Sequence, residues 1–279
     1  MLYIIKNVDL SLVFFHLKNS KTQYLVIAFL LGALQILVAT IRFYLFLRAA
    51  DSKYEFKDCF KAVITAIAYN SFLPSKGGDL IKGFILSKKT QERIIITGIT
   101  LLERLADLLI IFLISLVGTF FLQKYNFLLI NLTILSIIII FYLSNGSVFN
   151  IPVIGKFLRP FKHTLKAILY NWEFTLLSLF TCLIFWSINI IIIYLLLKSV
   201  GVSLLYCEIL VYWPYSIVVG ILPLSISGFG TRDSAFVKLI NHHELNESIL
   251  ASSFLYTVNV YWFISLISVV IILLFKFKK

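Results

Sequence analysis

The sequence predicts an all-α protein, a polytopic bundle of transmembrane helices that contains two broken or re-entrant helical elements. Three observations support this class. Hydrophobic residues make up 60% of the 279 residues and charged residues only 14%, whereas soluble domains carry about 25% charged residues. Several apolar runs reach the roughly 20 residues that a spanning helix needs. Two further apolar runs are shorter, and each ends in Leu-Pro followed by glycines.

The long apolar runs predict the spanning helices, since a helix rises about 1.5 Å per residue across a hydrocarbon core about 30 Å thick. In chain order these runs are Tyr24–Leu47, Leu105–Leu122, Phe127–Leu143, Phe174–Leu197 and Ile249–Phe275. Before them, charges interrupt the apolar residues of the first 20 positions. That stretch predicts an interfacial amphipathic helix rather than a signal peptide.

The two shorter segments, Cys59–Leu73 and Cys207–Leu222, share one unusual continuation. Each runs into Leu-Pro, then Ser, closely spaced glycines and Asp, and a new apolar helical run follows. Unpaired backbone in hydrocarbon costs several kcal/mol per group, so broken helices persist only inside protein or beside a wet cavity. Paired interruptions in the two halves of a chain are the pattern expected of a transport-type binding site.

We interpret residues 1–279 as one integral membrane domain with two halves. The first half, 1–144, contains the broken element 59–90, and the second half, 145–279, contains the broken element 207–241. One hypothesis is that the two elements enter the membrane from opposite faces as an inverted repeat. The alternative is that the segment 59–75 crosses the membrane completely and the N-terminus is cytoplasmic.

The basic residues predict the orientation. The positive-inside rule places Lys76–Arg93, Lys156–Lys166 and the lysines at 276–279 on the cytoplasmic side. We therefore expect a multi-pass protein of the cell membrane with a cytoplasmic C-terminus. The net charge of +12 is explained by these loops and ends, which argues against nucleic-acid binding.

The interruptions supply most of the candidate binding residues. At the first they are Asn70, Pro74, Gly77, Gly78 and Asp79, and at the second they are Pro223, Ser227, Gly228, Gly230, Arg232 and Asp233. Glycines allow close approach of the backbone, and the free N–H groups of a helix start favour an anion such as phosphate. A guanidinium adds a planar fork that suits phosphate. The alternative is that both interruptions are ordinary solvated loops.

Ionisable residues inside the predicted spans are also candidates, because a charge at mid-bilayer costs about 2.5–3.5 kcal/mol even on a lenient scale. Glu103, Arg104 and Asp107 share one helix face and can pair or share a proton, unless they lie at headgroup level as an anchor. Arg42 needs a partner such as Glu103, Asp107 or a lipid phosphate, unless it snorkels to the interface. Asn259 is a mid-helix amide that needs a partner.

Several classes of function lack support. The three cysteines show no CxxC spacing and the four histidines no zinc pattern, so we expect no disulfide framework, metal or cofactor. The nucleotide-binding, hydrolase and metalloprotease motifs GxxxxGK, GxSxG and HExxH are absent from the sequence. A transporter is therefore favoured over an enzyme, although a reaction on a glycolipid within the membrane stays open.

The ordered motifs resemble one known family over nearly the whole chain. Arg42, Asn70-x-x-Leu-Pro74 with Gly77-Gly78-Asp79, Glu103-Arg104-Leu, and Leu222-Pro223 through Arg232-Asp233 are similar to the lysylphosphatidylglycerol synthase transmembrane-region family of flippase-like proteins. Its members include the lipid-translocating half of aminoacyl-phosphatidylglycerol proteins. This chain departs from the family pattern at Tyr256-Thr257, where members often carry a basic residue after the tyrosine.

This resemblance implies a flippase-like protein that translocates or binds a phospholipid or a polyprenyl-phosphate-linked glycolipid. The expected partner is a lipid with a phosphate-bearing headgroup, which Arg42 and Arg232 would contact. The competing hypothesis is an accessory or transferase component of cell-envelope glycolipid or aminoacyl-lipid synthesis, acting beside a glycosyltransferase or another lipid-modifying enzyme. A purely structural scaffold would have no reason to tolerate charges within its spans.

Overall fold

The computed structural model describes residues 8–73, 77–143, 164, 168, 170–222, 224–225 and 227–275. Within these ranges all regular structure is helical, which confirms the predicted all-α class. Four helical segments are long and apolar enough to cross a membrane, so the protein is a multi-pass membrane protein. Pro74 and Pro223 of the two interruptions, and the basic segments 156–163 and 276–279, lie outside the described residues.

Eleven α-helices are described, together with short 3-10 turns and one π-helix. They are α1 (Leu10–Lys18), α2 (Thr22–Ala49), α3 (Phe56–Asn70), α4 (Ile81–Leu86), α5 (Thr90–Leu122), α6 (Tyr125–Leu143), α7 (Trp172–Ser199), α8 (Tyr206–Ile221), α9 (Thr231–Ile240), α10 (Asn246–Tyr256) and α11 (Ile264–Phe275). The 3-10 turns are Gly77–Leu80 and His243–Leu245, and the π-helix Thr257–Phe263 joins α10 to α11.

The predicted spans correspond to α2, α5, α6, α7 and the α10–α11 segment, with one large difference in bounds. Helix α5 begins at Thr90 rather than at Leu105 and has 33 residues, about 50 Å at 1.5 Å per residue. The predicted start is wrong because Glu103 and Arg104, directly before Leu105, are paired with Arg42, Lys82 and Asp79 and do not mark the end of the helix. Helix α6 is the shortest of these elements, and it is not one of the four segments that are long and apolar enough to cross a membrane.

Helices α2 and α7 form an antiparallel pair at the centre of the fold. At one end Lys21 N–H donates to the Ser199 carbonyl over 2.9 Å, and at the other Asn171 Nδ2 donates to the Ala49 carbonyl over 2.9 Å. Between them, Gln35 Nε2 donates to the Phe185 carbonyl over 3.0 Å. These links hold the two helices together along their length.

Each interruption forms the tip of a helical hairpin. Hairpin 1 comprises residues 56–86, and its open end lies at the start of α5, where Tyr54 and Ser87 hydroxyls both donate to the Glu92 carboxylate. Hairpin 2 comprises residues 206–240, and its open end packs near the end of α5. A Cβ built on Gly118 would lie 2.9 Å from the Cys207 carbonyl oxygen. The hairpins therefore open at opposite ends of α5.

The tips of the two hairpins touch inside the bundle. Ser227 Oγ of hairpin 2 donates to the Ser71 carbonyl of hairpin 1 over 3.4 Å, and Ser71 Oγ donates to the Tyr261 carbonyl of the π-helix over 3.2 Å. The interruptions thus meet one another and the irregular part of the last span. Entry of the hairpins into a membrane from opposite faces, as an inverted repeat, stays a prediction.

We predict that Gly78→Ala destabilises the tip of hairpin 1 and that Gly77→Ala does not. A Cβ on Gly78 would lie 2.7 Å from both the Ala66 carbonyl oxygen and the Asn70 nitrogen, whereas the nearest atom to a Cβ on Gly77 is 3.7 Å away. Forcing the backbone apart costs about 1–3 kcal/mol. Thermal unfolding of the two variants in detergent measures the difference, and equal melting temperatures would contradict the packing described.

We also predict that cysteines at Lys89 and His242 are labelled from opposite sides of the membrane. Both side chains are exposed, and they lie at the open ends of hairpins 1 and 2 respectively. An impermeant maleimide added outside cells should reach only His242→Cys, in a chain whose half-buried Cys207 is replaced by Ser. Labelling of both positions from one side would rule out the inverted arrangement.

Candidate functional site

Six charged side chains meet where α2, hairpin 1 and α5 pack together. This charged cluster consists of Arg42, Asp79, Lys82, Glu103, Arg104 and Asp107. Three positive and three negative groups leave it formally neutral. Buried charges persist only when each is paired and hydrogen-bonded, so the cluster can exist only when all its elements are assembled.

Arg42 forms the centre of the charged cluster. Its Nε donates to Glu103 Oε1 over 2.8 Å, and its Nη1 donates to Asp107 Oδ1 over 2.6 Å. Arg42 is 3% exposed and Glu103 is fully buried, so Arg42 is neutralised by partners within the protein. Asp107 Oδ1 also accepts from Trp186 Nε1 of α7 over 2.8 Å. Both carboxylates contact cations rather than sharing a proton.

Lys82 is a member of the cluster that the sequence analysis does not identify. Its Nζ donates to Glu103 Oε2 over 2.8 Å, lies 3.6 Å from Asp79 Oδ1, and stands 4.5 Å from the centre of the Phe43 ring. Lys82 is 3% exposed, so it is a buried member of the cluster, and the cytoplasmic side predicted for residues 76–93 stays a prediction. The position of Lys82 directly after Gly-Gly-Asp, at helical spacing from Asp79, is the signal that could have found it.

Arg104 is the most accessible cation of the cluster. Its guanidinium pairs with the Asp79 carboxylate, and Nη1 donates to Asp107 Oδ2 over 2.9 Å. The side chain is 28% exposed, compared with 3% for Arg42 and Lys82. Its Nε–H has no hydrogen-bond acceptor in the described part of the chain. Arg104 is therefore the cation of the cluster with the most access, while its unpaired Nε–H is buried.

A cavity of about 110 Å³ lies against the charged cluster. Its charged lining comes from Arg42, Asp79, Lys82 and Arg104, three positive groups and one negative. Glu103 and Asp107 are not among its lining residues, so the cavity wall is positive although the whole cluster is neutral. The lining also includes apolar and aromatic side chains, among them Ile36, Ile67, Phe185, Val260 and Ile264.

Residues of the first interruption belong to this cavity. Asn70 and Asp79 line it, and Asn70 Nδ2 donates to Asp79 Oδ1 over 3.2 Å. Gly78 packs directly on the backbone of α3, and Gly77 lies in the same 3-10 turn. The turn is followed by α4, which has only six residues. Anion binding by backbone N–H groups at this helix start stays a prediction.

The second interruption carries a separate buried centre around Arg232. Its Nη2 donates to Asp233 Oδ1 over 2.7 Å and to Thr257 Oγ1 over 2.5 Å. The guanidinium is surrounded by the rings of Trp213, Tyr256 and Tyr261 at 5.5, 4.8 and 5.6 Å. Thr257 is thus a direct partner of Arg232.

Arg232 is 1% exposed, and it lines only a void of about 10 Å³ together with Ser227 and Gly228, enough for about one water. The start of α9 is capped internally, since Gly230 N–H donates to Asp233 Oδ2 over 2.9 Å. Gly228 and Gly230 have φ of 72° and 82°, which glycine adopts readily. A phosphate contact by Arg232 therefore stays a prediction, and it would require this centre to open.

Helix α7 links the two centres through residues that the sequence analysis does not identify. Trp186 donates to Asp107, and one turn later Asn189 Nδ2 donates to the Tyr256 hydroxyl over 2.7 Å. Trp213 Nε1 donates to Asn189 Oδ1 over 3.0 Å. Both α7 residues line the cavity. An amide inside an apolar span, as at Asn189, is the signal that could have revealed this connection.

Asn259 lies in the π-helix behind the cavity wall. It is 6% exposed, its Nδ2 donates to the Leu25 carbonyl over 3.4 Å, and its Oδ1 has no partner in the described ranges. A Cβ on Gly32, which lines the cavity, would lie 3.7 Å from this oxygen. π-helical turns occur frequently at functional sites, and Thr257 and Asn259 give this one its polar face.

Comparisons with known proteins place the chain in a family. The family model for the lysylphosphatidylglycerol synthase TM region matches residues 1–268. The chain belongs to this family. It is also 23% identical over 267 residues to the UPF0104 membrane protein MJ1595 of Methanocaldococcus jannaschii, an alignment that covers 84% of this chain and 79% of the relative. The resemblance inferred from the motifs is thus confirmed. Among the described residues, no group of three or more His, Cys, Asp or Glu side chains is arranged to hold a metal ion.

We predict that Arg42→Gln destabilises the protein strongly, because it leaves Glu103 and Asp107 as buried carboxylates without their main cation. Removing one partner of a buried ion pair costs about 3–5 kcal/mol. Arg48→Gln on the same helix is the matched control, since Arg48 is exposed. Thermal unfolding of both variants in detergent provides the measurement, and an Arg42→Gln protein as stable as the control would contradict the assigned role of the cluster.

Proposed function

We propose that this protein binds a lipid with a phosphate-bearing headgroup in the cavity beside the charged cluster and moves that headgroup between leaflets. The ligand would be a phospholipid or a polyprenyl-phosphate-linked glycolipid. The observation that carries the proposal is the cavity-lining Arg104, which is partly exposed and whose buried Nε–H has no acceptor among the described residues. Family membership agrees with this function but does not identify the lipid.

The charge of the cavity favours an anion. Three cations and one carboxylate line it, and guanidinium groups bind phosphate through paired, charge-assisted hydrogen bonds. In a site shielded from water these contacts are stronger than at an exposed surface. A phosphate at Arg104 would lie near Lys82 as well, because both side chains contact the same Asp79 carboxylate.

The apolar part of the cavity lining suits the remainder of a lipid. Ile36 of α2, Ile67 of α3 and Ile264 of α11 pack together in one apolar cluster and line the cavity. The cavity therefore offers both charged and apolar side chains, as an amphipathic ligand requires. A free polar metabolite would leave the apolar side chains without a partner. We infer that the acyl or prenyl chain leaves the cavity between these helices.

The contact between the hairpin tips supports translocation rather than binding alone. The hairpins open at opposite ends of α5, and their tips are in contact through Ser71 and Ser227. Broken elements that meet at a central site are the arrangement in which one repeat can rock against the other. We propose that rocking exposes the cavity alternately to the two leaflets of the cell membrane, with the C-terminus in the cytoplasm.

We predict that Arg104→Gln slows leaflet exchange of a fluorescent phospholipid in liposomes at least about tenfold, because a neutral amide cannot replace the guanidinium as a phosphate ligand. Lys89→Gln is the control, since that lysine is 81% exposed and lies outside the cavity. Dithionite quenching of the outer leaflet measures the rate. Equal exchange by wild type, Arg104→Gln and empty liposomes would contradict the proposed function.

A further inference from the structure

Asp79 occupies the position in the cavity that a ligand phosphate would take. It is the one acidic residue among the described residues that line the cavity, and it is 5% exposed. Its two carboxylate oxygens contact Arg104 and Lys82 respectively, and Asn70 Nδ2 also donates to it. A carboxylate and a phosphate offer the same kind of anionic oxygen to these cations, so the two groups compete for the N–H donors that now contact Asp79.

Glu103 and Asp107, the other two acids of the charged cluster, lie outside the lining of the cavity. Both belong to α5 and join it to Arg42 of α2, and Glu103 also pairs with Lys82 of hairpin 1, so they connect helices from outside the cavity. Asp79 instead belongs to hairpin 1 and reaches across to α5. Among the three acids, only Asp79 both faces the cavity and joins two elements.

The Asp79–Arg104 contact holds the tip of hairpin 1 against α5. Gly78, the preceding residue, packs on the backbone of α3 so closely that a Cβ would not fit. The tip is thus fixed to α3 on one side and joined to α5 through Asp79 on the other. The same tip contacts hairpin 2 through Ser71 and Ser227. Loss of the Asp79 contact would therefore loosen the junction at which the two hairpins meet.

We propose that Asp79 is an internal competitor of the ligand's phosphate. A phosphate monoester or diester that enters the cavity takes the place of the Asp79 carboxylate between Arg104 and Lys82, and it thereby releases the tip of hairpin 1 from α5. This inference rests on the proposed function, since it concerns the same anion site. It adds that binding and opening are coupled, because the ligand breaks the contact that keeps the empty site closed.

The test is the binding of a short-chain fluorescent phosphatidylglycerol to wild type and to Asp79→Asn in detergent. Removing the competitor raises the fraction of molecules whose site is ready for the ligand, so we expect a dissociation constant at least about tenfold lower for Asp79→Asn. Leaflet exchange by the same variant should be slower than by wild type, because the lipid is no longer displaced. Glycerol phosphate and inorganic phosphate, added as unlabelled competitors, distinguish a lipid site from a site for free phosphate.

Glu103→Gln is the matched control. It removes the same charge from the same cluster, so a gain in affinity shared by both variants would show only a general electrostatic effect and would overturn the inference. A second result would also overturn the inference: wild type binds the lipid, Arg104→Gln does not, and Asp79→Asn binds no more tightly than wild type. That result would leave the proposed function standing. Absence of lipid binding by wild type would overturn both.

Hydrogen exchange of the wild-type protein tests the inference without any substitution, should Asp79→Asn fail to fold. Ligands usually slow exchange near their site, but displacement of Asp79 predicts faster exchange of the amides of residues 77–86 when the lipid is added. The amides of α5 around Arg104 should be protected in the same experiment. Protection of both segments would contradict the release of the hairpin tip.

Discussion

The pairing of Arg42 with Glu103 and Asp107 is the interaction on which the rest of the structure depends. It places three charges inside a mostly apolar bundle, and each would be costly without the others. Lys82 and Asp79 of hairpin 1 and Arg104 of α5 complete the neutralisation. Because the groups come from three separate elements, satisfying these charges fixes how α2, hairpin 1 and α5 pack.

That packing produces a cavity whose lining charges are mostly positive. The acids that neutralise Arg42 point away from the cavity, whereas the cations line it, so a neutral cluster presents a positive surface. Helix α7 extends the same polar layer to the second hairpin through Trp186 and Asn189. The aromatic rings and the internal cap around Arg232 make that second centre a closed support rather than an open site.

Much of the fold and of the charged cluster could be predicted from the sequence. A break or a charged residue in a spanning helix has a free-energy cost that depends on that position alone, and the sequence shows where such positions are. The apolar runs, the two interruptions and the need of Arg42 for an acidic partner follow from that cost. The start of α5 and the burial of Lys82 do not, because a charged stretch looks solvated until the neighbour that neutralises it is known. The roles of Trp186 and Asn189 depend on which helices pack side by side, and residue spacing within one helix does not contain that information.

The most direct test of this account is an experimental structure of the protein in lipid nanodiscs that contain an anionic phospholipid. The account predicts density for a lipid phosphate within about 3 Å of the Arg104 guanidinium, with the lipid tail leaving along the apolar side chains of Ile67 and Ile264. Lipid phosphates found only around the perimeter, with the cavity beside Arg104 filled by a hydrocarbon chain or closed, would contradict it.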